Sequence, residues 1–156
     1  MTTAQASGVG QQIIAEATLL ADAIRMEPHA KVRKYPSWDL ACLGRHVGEI
    51  HAWATGIVRD GATERPLRAK LDNVADKDVP GVVHVGAVAL AETLDVCDLA
   101  GPVWSFAEDW TNGFWCRRML METTIHRWDA QDAIGTVTPI AHEIALLGIQ
   151  ECLEVY

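Results

Sequence analysis

The chain has 156 residues, a length that fits one domain (residues 1–156) with a core of its own. Apolar residues make up 49% and charged residues 22%, the balance of a globular protein. A formal net charge of −8, with no basic stripe to neutralise phosphates, argues against a nucleic-acid partner.

The start MTTAQASG lacks the basic n-region of a secretory signal. No apolar run is expected to reach the ~20 residues of a membrane span, so no membrane partner is expected. Cys42, Cys97, Cys116 and Cys152 are scattered and form no C-x-x-C. Each is expected to sit in a helix as a small apolar residue, and a reducing cytoplasm fits this usage.

Residues 1–9 are small and polar and are expected to fray. Ile14, Ala17, Leu20, Ala21 and Ile24 recur at helical spacing, which predicts a helix over residues 11–25, ending before Pro28. A basic loop with Lys31, Arg33 and Lys34 follows. Ser37 is the expected N-cap of a second helix over residues 38–59. Its inner face reads Cys42 or Leu43, then His46, Ile50, Trp53 and Ile57. His51 lies about 140° around that helix from His46 and falls off this line.

Residues 60–80 form a long connection, of the kind often laid over a pocket, with room for a short helix at 67–71. A third helix over residues 82–97 would present Val85, Val88, Ala89 and Val96, with His84 facing solvent near its start. Residues 98–112 read as irregular, with an extended piece at 103–106 and Asn112 as the next cap. A fourth helix covers residues 116–133 and stops by Gly135. Thr138-Pro139 then opens a last helix over residues 141–156, with Ile144, Leu147 and Leu153 on its apolar side.

The fourth helix carries the chemistry. Glu122 and His126 stand four residues apart, so both leave one face a turn apart and can close on one cation. The plainer reading is a local surface pair, with Arg117, Arg118, Arg127 and Asp129 as solvent-facing or salt-bridge partners. His46 is the candidate third ligand. A lone histidine on an apolar face is more often a packed core residue, and Cys42–His46 is a rival ligand pair. Trp53 and Trp115 either wall a pocket or belong to the core, and Asp129 can orient a neighbouring imidazole. There is no phosphate loop, dinucleotide fingerprint, nucleophile elbow or H-E-x-x-H. The helices predict an all-α, up-and-down four-helix bundle with a long crossover and a further C-terminal helix.

Three stretches, DLACLGRHVGEIHAW, FWCRRMLMETTIHRWDAQDAIG (with VWSF before it) and TPIAHEIALLGIQECLEVY, resemble the mycothiol-dependent maleylpyruvate isomerase family. The resemblance runs from about Ile14 onward and is most specific at ETTIHRWDAQ. It implies a DinB-like bundle that holds a divalent metal, most often zinc, through His46, Glu122 and His126. It also implies mycothiol as thiol cosubstrate, an electrophilic small-molecule substrate, and a transferase or isomerase activity. Full members carry a second, C-terminal domain, and this chain ends where that domain would begin. A non-catalytic metal-binding module or a homodimerising bundle is the competing expectation.

Overall fold

The computed structural model describes residues 8–155, with side chains described through residue 153. The fraying expected of residues 1–7 and the end of the last helix at Tyr156 lie outside the described residues. Among the described residues there are five α-helices: α1 (Val9–Met26), α2 (Leu40–Asp60), α3 (Val79–Val96), α4 (Asn112–Ile134) and α5 (His142–Val155). No strand occurs among the described residues, only the isolated bridges Lys31–Asp39 and Pro102–Thr111. The predicted all-α, DinB-like bundle is the fold observed.

The helix starts show which local signals prevail. Helix α1 begins at Val9, behind Gly8 with φ 85°, and Val9 and Gly10 are already buried. The cap of α2 is Asp39 rather than Ser37: its backbone is extended and its carboxylate accepts from Cys42 N–H at 2.9 Å. The cap of α4 is Thr111 rather than Asn112, and its hydroxyl accepts from Phe114 N–H at 3.3 Å. Asn112 is already helical and donates instead to the Asp98 carbonyl at 2.9 Å. Gly135 closes α4 at φ 72°, as predicted.

Around the bundle the order is α1, α3, α2, α4. Helices α1 and α2 each pack on α3 and α4 but touch each other little, and α5 lies lightly on α4. The consecutive pairs α1/α2 and α3/α4 are therefore diagonal, the consecutive pair α2/α3 is adjacent, and α2 comes to lie beside α4. The α2–α3 approach is close because Gly44 and Gly48 face it. A Cβ at Gly44 would sit 2.5 Å from Val79 and 2.7 Å from Ile24, and one at Gly48 would sit 2.9 Å from Val82.

Helix α3 corrects the predicted face. Its core residues are Val83, Ala87, Leu90, Ala91 and Leu94, whereas Val85 and Val96 are exposed. The helix is apolar nearly all round, so periodicity does not select a side. For the same reason residues 76–96 are long and apolar enough, by length and composition, to cross a membrane, contrary to the expectation for this chain. Here the helix packs against α1 and α2.

The long connection also departs from expectation. It holds no helix at 67–71, Leu67 is fully exposed, and a short 3₁₀ turn forms at Asp76–Asp78. The connection is fastened to α2: Glu49 accepts from Leu71 N–H at 3.0 Å and from the Lys70 ammonium at 2.9 Å. Arg45 donates to the Val74 carbonyl at 2.7 Å and also binds Asp76. It roofs a small cavity of about 330 Å³ beside Trp53, not the main one. The cysteines divide as well. Cys116 is buried, Cys97 ends α3, and Cys42 and Cys152 are exposed, so the last two are not core residues.

Candidate metal centre

Because α2 lies beside α4, His46 reaches the pair that helical spacing places on α4. Glu122 Oε1 is 3.2 Å from His46 Nε2 and 3.2 Å from His126 Nε2. One donor atom from each of the three residues lies within 4.8 Å of the other two. The two imidazole rings are 5.2 Å apart and edge-on at 89°. Cys42 is exposed and stands outside this group, so the rival Cys42–His46 pair is not the cluster that forms.

Each donor is held from behind. His126 Nδ1 is 3.1 Å from Asp129 Oδ2, which leaves Nε2 turned to Glu122. Arg118 donates to Glu122 Oε2, leaving Oε1 toward the histidines. Arg118 also donates to Glu151 of α5 at 2.5 Å. The Trp38 ring lies 5.0 Å from that of His46, and Tyr35 packs 5.2 Å from Trp38 and 6.4 Å from His126.

Burial by itself would raise the Glu122 pKa. Hydrogen bonds from His126 and His46, with the charges of His126 and Arg118, outweigh it and hold the carboxyl far below its ordinary value. Burial likewise pulls His126 down, but hydrogen bonds to Asp129 and Glu122 and their charges push it up to about 9. The cluster thus draws positive charge to the space between the three donors. Two imidazole nitrogens and one carboxylate oxygen form a donor set that suits a divalent ion such as zinc, and three protein ligands leave room for an exogenous one. The residues fit such a metal.

A cavity of about 850 Å³ opens over the cluster, between the α1–α2 loop, α4 and α5. Its wall is largely apolar, with Trp38, Met121, Ile125, Ile140, Ile144 and Ile149. Trp53 and Trp115 do not line it. They pack with Trp104, Phe106 and Phe114 in an aromatic cluster elsewhere in the bundle; Trp115 is a core residue, and Trp53 is half-buried and lines the small second cavity.

Several residues around the cluster escape a reading by pattern. Tyr35 sits in the loop read only as basic, and Trp38, expected to open the second helix, precedes its start at Leu40; an aromatic pair flanking Pro36-Ser37 is a visible signal. Glu151 is a buried acid amid the apolar residues of α5. His51 is fully buried, and its Nε2 lies 2.8 Å from Thr123 Oγ1. That hydroxyl donates to the Met119 carbonyl at 2.7 Å, so His51 Nε2–H is the donor to it. Burial holds the His51 pKa at about 4, and Nδ1 has no partner among the described residues.

Two of the arginines read as solvent-facing or salt-bridge partners take the second role, and do so from buried positions. Arg127 is buried and donates to Glu16 at 2.6 Å and to the Thr138 carbonyl at 2.8 Å. Arg117 is buried with its Nε 3.7 Å from Glu151. Both pack inward because α1 and α5 bring carboxylates to them from outside α4.

No curated protein and no solved structure matches the chain. A family model described as the mycothiol maleylpyruvate isomerase N-terminal domain matches residues 10–131, a span that contains His46, Glu122 and His126. With a DinB-like bundle and a His/Glu/His cluster at its cavity, the chain belongs to the mycothiol maleylpyruvate isomerase N-terminal domain family.

Proposed function

We propose that His46, Glu122 and His126 hold a divalent metal, zinc by preference, and that the protein uses it in a thiol-dependent transfer or isomerisation. The observation that carries this is the convergence of the three donors on one point at the floor of an apolar cavity. When bound, such a metal supplies a Lewis acid on which a small-molecule thiol of the mycothiol type ionises near neutral pH.

The protein's own groups do the rest. Asp129 fixes the His126 tautomer through Nδ1 and keeps Nε2 as the donor. Arg118 takes one Glu122 oxygen and so presents the other to the site. Trp38 and the isoleucines exclude water from the nucleophile. The thiolate sulfur bonds to an electrophilic carbon of the substrate. Departure of a leaving group with its electron pair gives transfer. Addition to a double bond, rotation and loss of the thiolate give isomerisation.

Metal content tests the reading. The purified protein is expected to hold about one metal ion per chain, and Glu122→Ala and His126→Ala less than about a tenth of that in the same buffer. Equal metal in all three proteins would end the proposal. Bound zinc with no thiol-dependent turnover of a model electrophile would leave the non-catalytic metal-binding module instead.

A further inference from the structure

One wall of the cavity does not belong to the bundle core. Helix α5 lies lightly on α4, yet its residues Ile144, Ile149 and Glu151 line the cavity over the cluster. Of the α5 side chains described, only Ile144 and Glu151 are buried, whereas Leu146, Ile149 and Leu153 are exposed. Seven residues make nearly two full helical turns, so these two anchors share one side of α5. One anchor is apolar. The other is a carboxylate, which is costly to bury unless opposite charge meets it.

That charge comes from α4. Glu151 Oε1 accepts from Arg118 Nη1 at 2.5 Å, and Oε2 lies 3.7 Å from Arg117 Nε. The other terminal nitrogen of Arg118, Nη2, donates to Glu122 Oε2, while Glu122 Oε1 lies 3.2 Å from Nε2 of both histidines. One planar guanidinium thus bridges a buried acid of α5 and the carboxylate of the cluster. An arginine four residues from a glutamate on one helix is by itself a loose pair. Holding Nη1 on Glu151 fixes the plane of the fork, and Nη2 then meets Glu122.

We propose that Glu151 is a positioning residue for the metal centre: it acts through Arg118 to aim Glu122, so that docking of α5 and binding of the metal strengthen each other. This rests on the reading of His46, Glu122 and His126 as metal ligands. Coupling of this kind is reciprocal. The factor by which docked α5 tightens the metal is the factor by which the metal holds α5 down. The helix that carries this cavity wall is then closed most firmly when the centre is loaded.

Zinc affinity, measured on the full chain by competition with a chromophoric chelator, tests the proposal. Glu151→Gln keeps the shape of the side chain and removes its charge, and is expected to weaken zinc about threefold to tenfold. Arg118→Ala is expected to weaken it more, and the double variant to match Arg118→Ala within about twofold, because Glu151 works through that guanidinium. A direct effect of the lost charge, or of a displaced wall, would instead add to the effect of Arg118→Ala. Hydrogen exchange gives a second readout that needs no substitution. A lightly packed helix exchanges through local opening, so zinc slows the amides of residues 146–153 where docking is coupled to the site. They are expected to slow about threefold to tenfold in the unaltered protein, and to be unchanged by zinc in Glu151→Gln.

Equal zinc affinity in the unaltered protein and Glu151→Gln, additive losses in the double variant, or α5 exchange that bound zinc leaves unchanged would each overturn this inference while leaving the metal site in place. An unaltered protein that binds no zinc would overturn the reading of the site, and this inference with it.

Discussion

Helix α4 carries two arginine–carboxylate networks nine residues apart, which puts them on opposite sides of the helix. Arg127 meets Glu16 of α1 in the core, where its side chain is 1% exposed. Arg118 meets Glu122 and Glu151 at the edge of the cavity, where its side chain is 19% exposed. The residue types are the same and the consequences differ. The Arg127 pair joins two bundle helices, and its guanidinium is sealed from water. The Arg118 guanidinium keeps some contact with water and shares Glu151 with Arg117, so its effect is on the direction in which Glu122 points.

The comparison breaks if Arg127→Ala proves mild. Removing that guanidinium strands Glu16 in the core and is expected to cost about 3–5 kcal/mol in denaturant unfolding, with metal content per folded chain unchanged. The buried contact between His51 and Thr123 sharpens the contrast, being polar, inter-helical and uncharged. His51 titrates at about 4 in the folded protein, below the ordinary 6.5. From pH 6.5 downward the unfolded chain takes up a proton that the native protein refuses until about pH 4. The His51 contribution is then flat above pH 6.5 and costs about 3 kcal/mol of stability by pH 4. Unfolding midpoints of His51→Asn across that window are expected to show a shallower slope, and an unchanged slope would locate the acid lability elsewhere. The smallest effect on stability is expected at Arg118. Arg118→Ala is expected to lower metal affinity about tenfold to a hundredfold at a smaller cost in stability than Arg127→Ala, because Arg117 still faces Glu151 and both histidines still face Glu122. A large loss of stability with metal affinity intact would put Arg118 in the same class as Arg127.

Much of the site is legible in the chain. Glu122 and His126 share a face by arithmetic, and the ETTIHRWDAQ stretch points to the family whose model matches. His46 is legible by resemblance more than by pattern, because one histidine on an apolar helix has many ordinary explanations. The helices themselves follow from periodicity and from Gly135. Local signals fail where two neighbours compete for one role, as Ser37 with Asp39 and Asn112 with Thr111. They fail again on α3, where apolar residues on every side leave no face to choose. Arg127, Arg118 and Glu151 are invisible as a set, since their partners lie 111 and 33 residues away along the chain.

The sequence by itself determined the helical class, the helix count and the one-turn spacing of Glu122 and His126, because these depend on residues within a few turns of one another. Only the tertiary structure decided that α2 packs beside α4, that Trp38 and α5 enclose the cavity, and that buried arginines find carboxylates. Those outcomes depend on which helix faces meet, and that is settled by close packing at Gly44 and Gly48 and by the burial of charge rather than by any local preference.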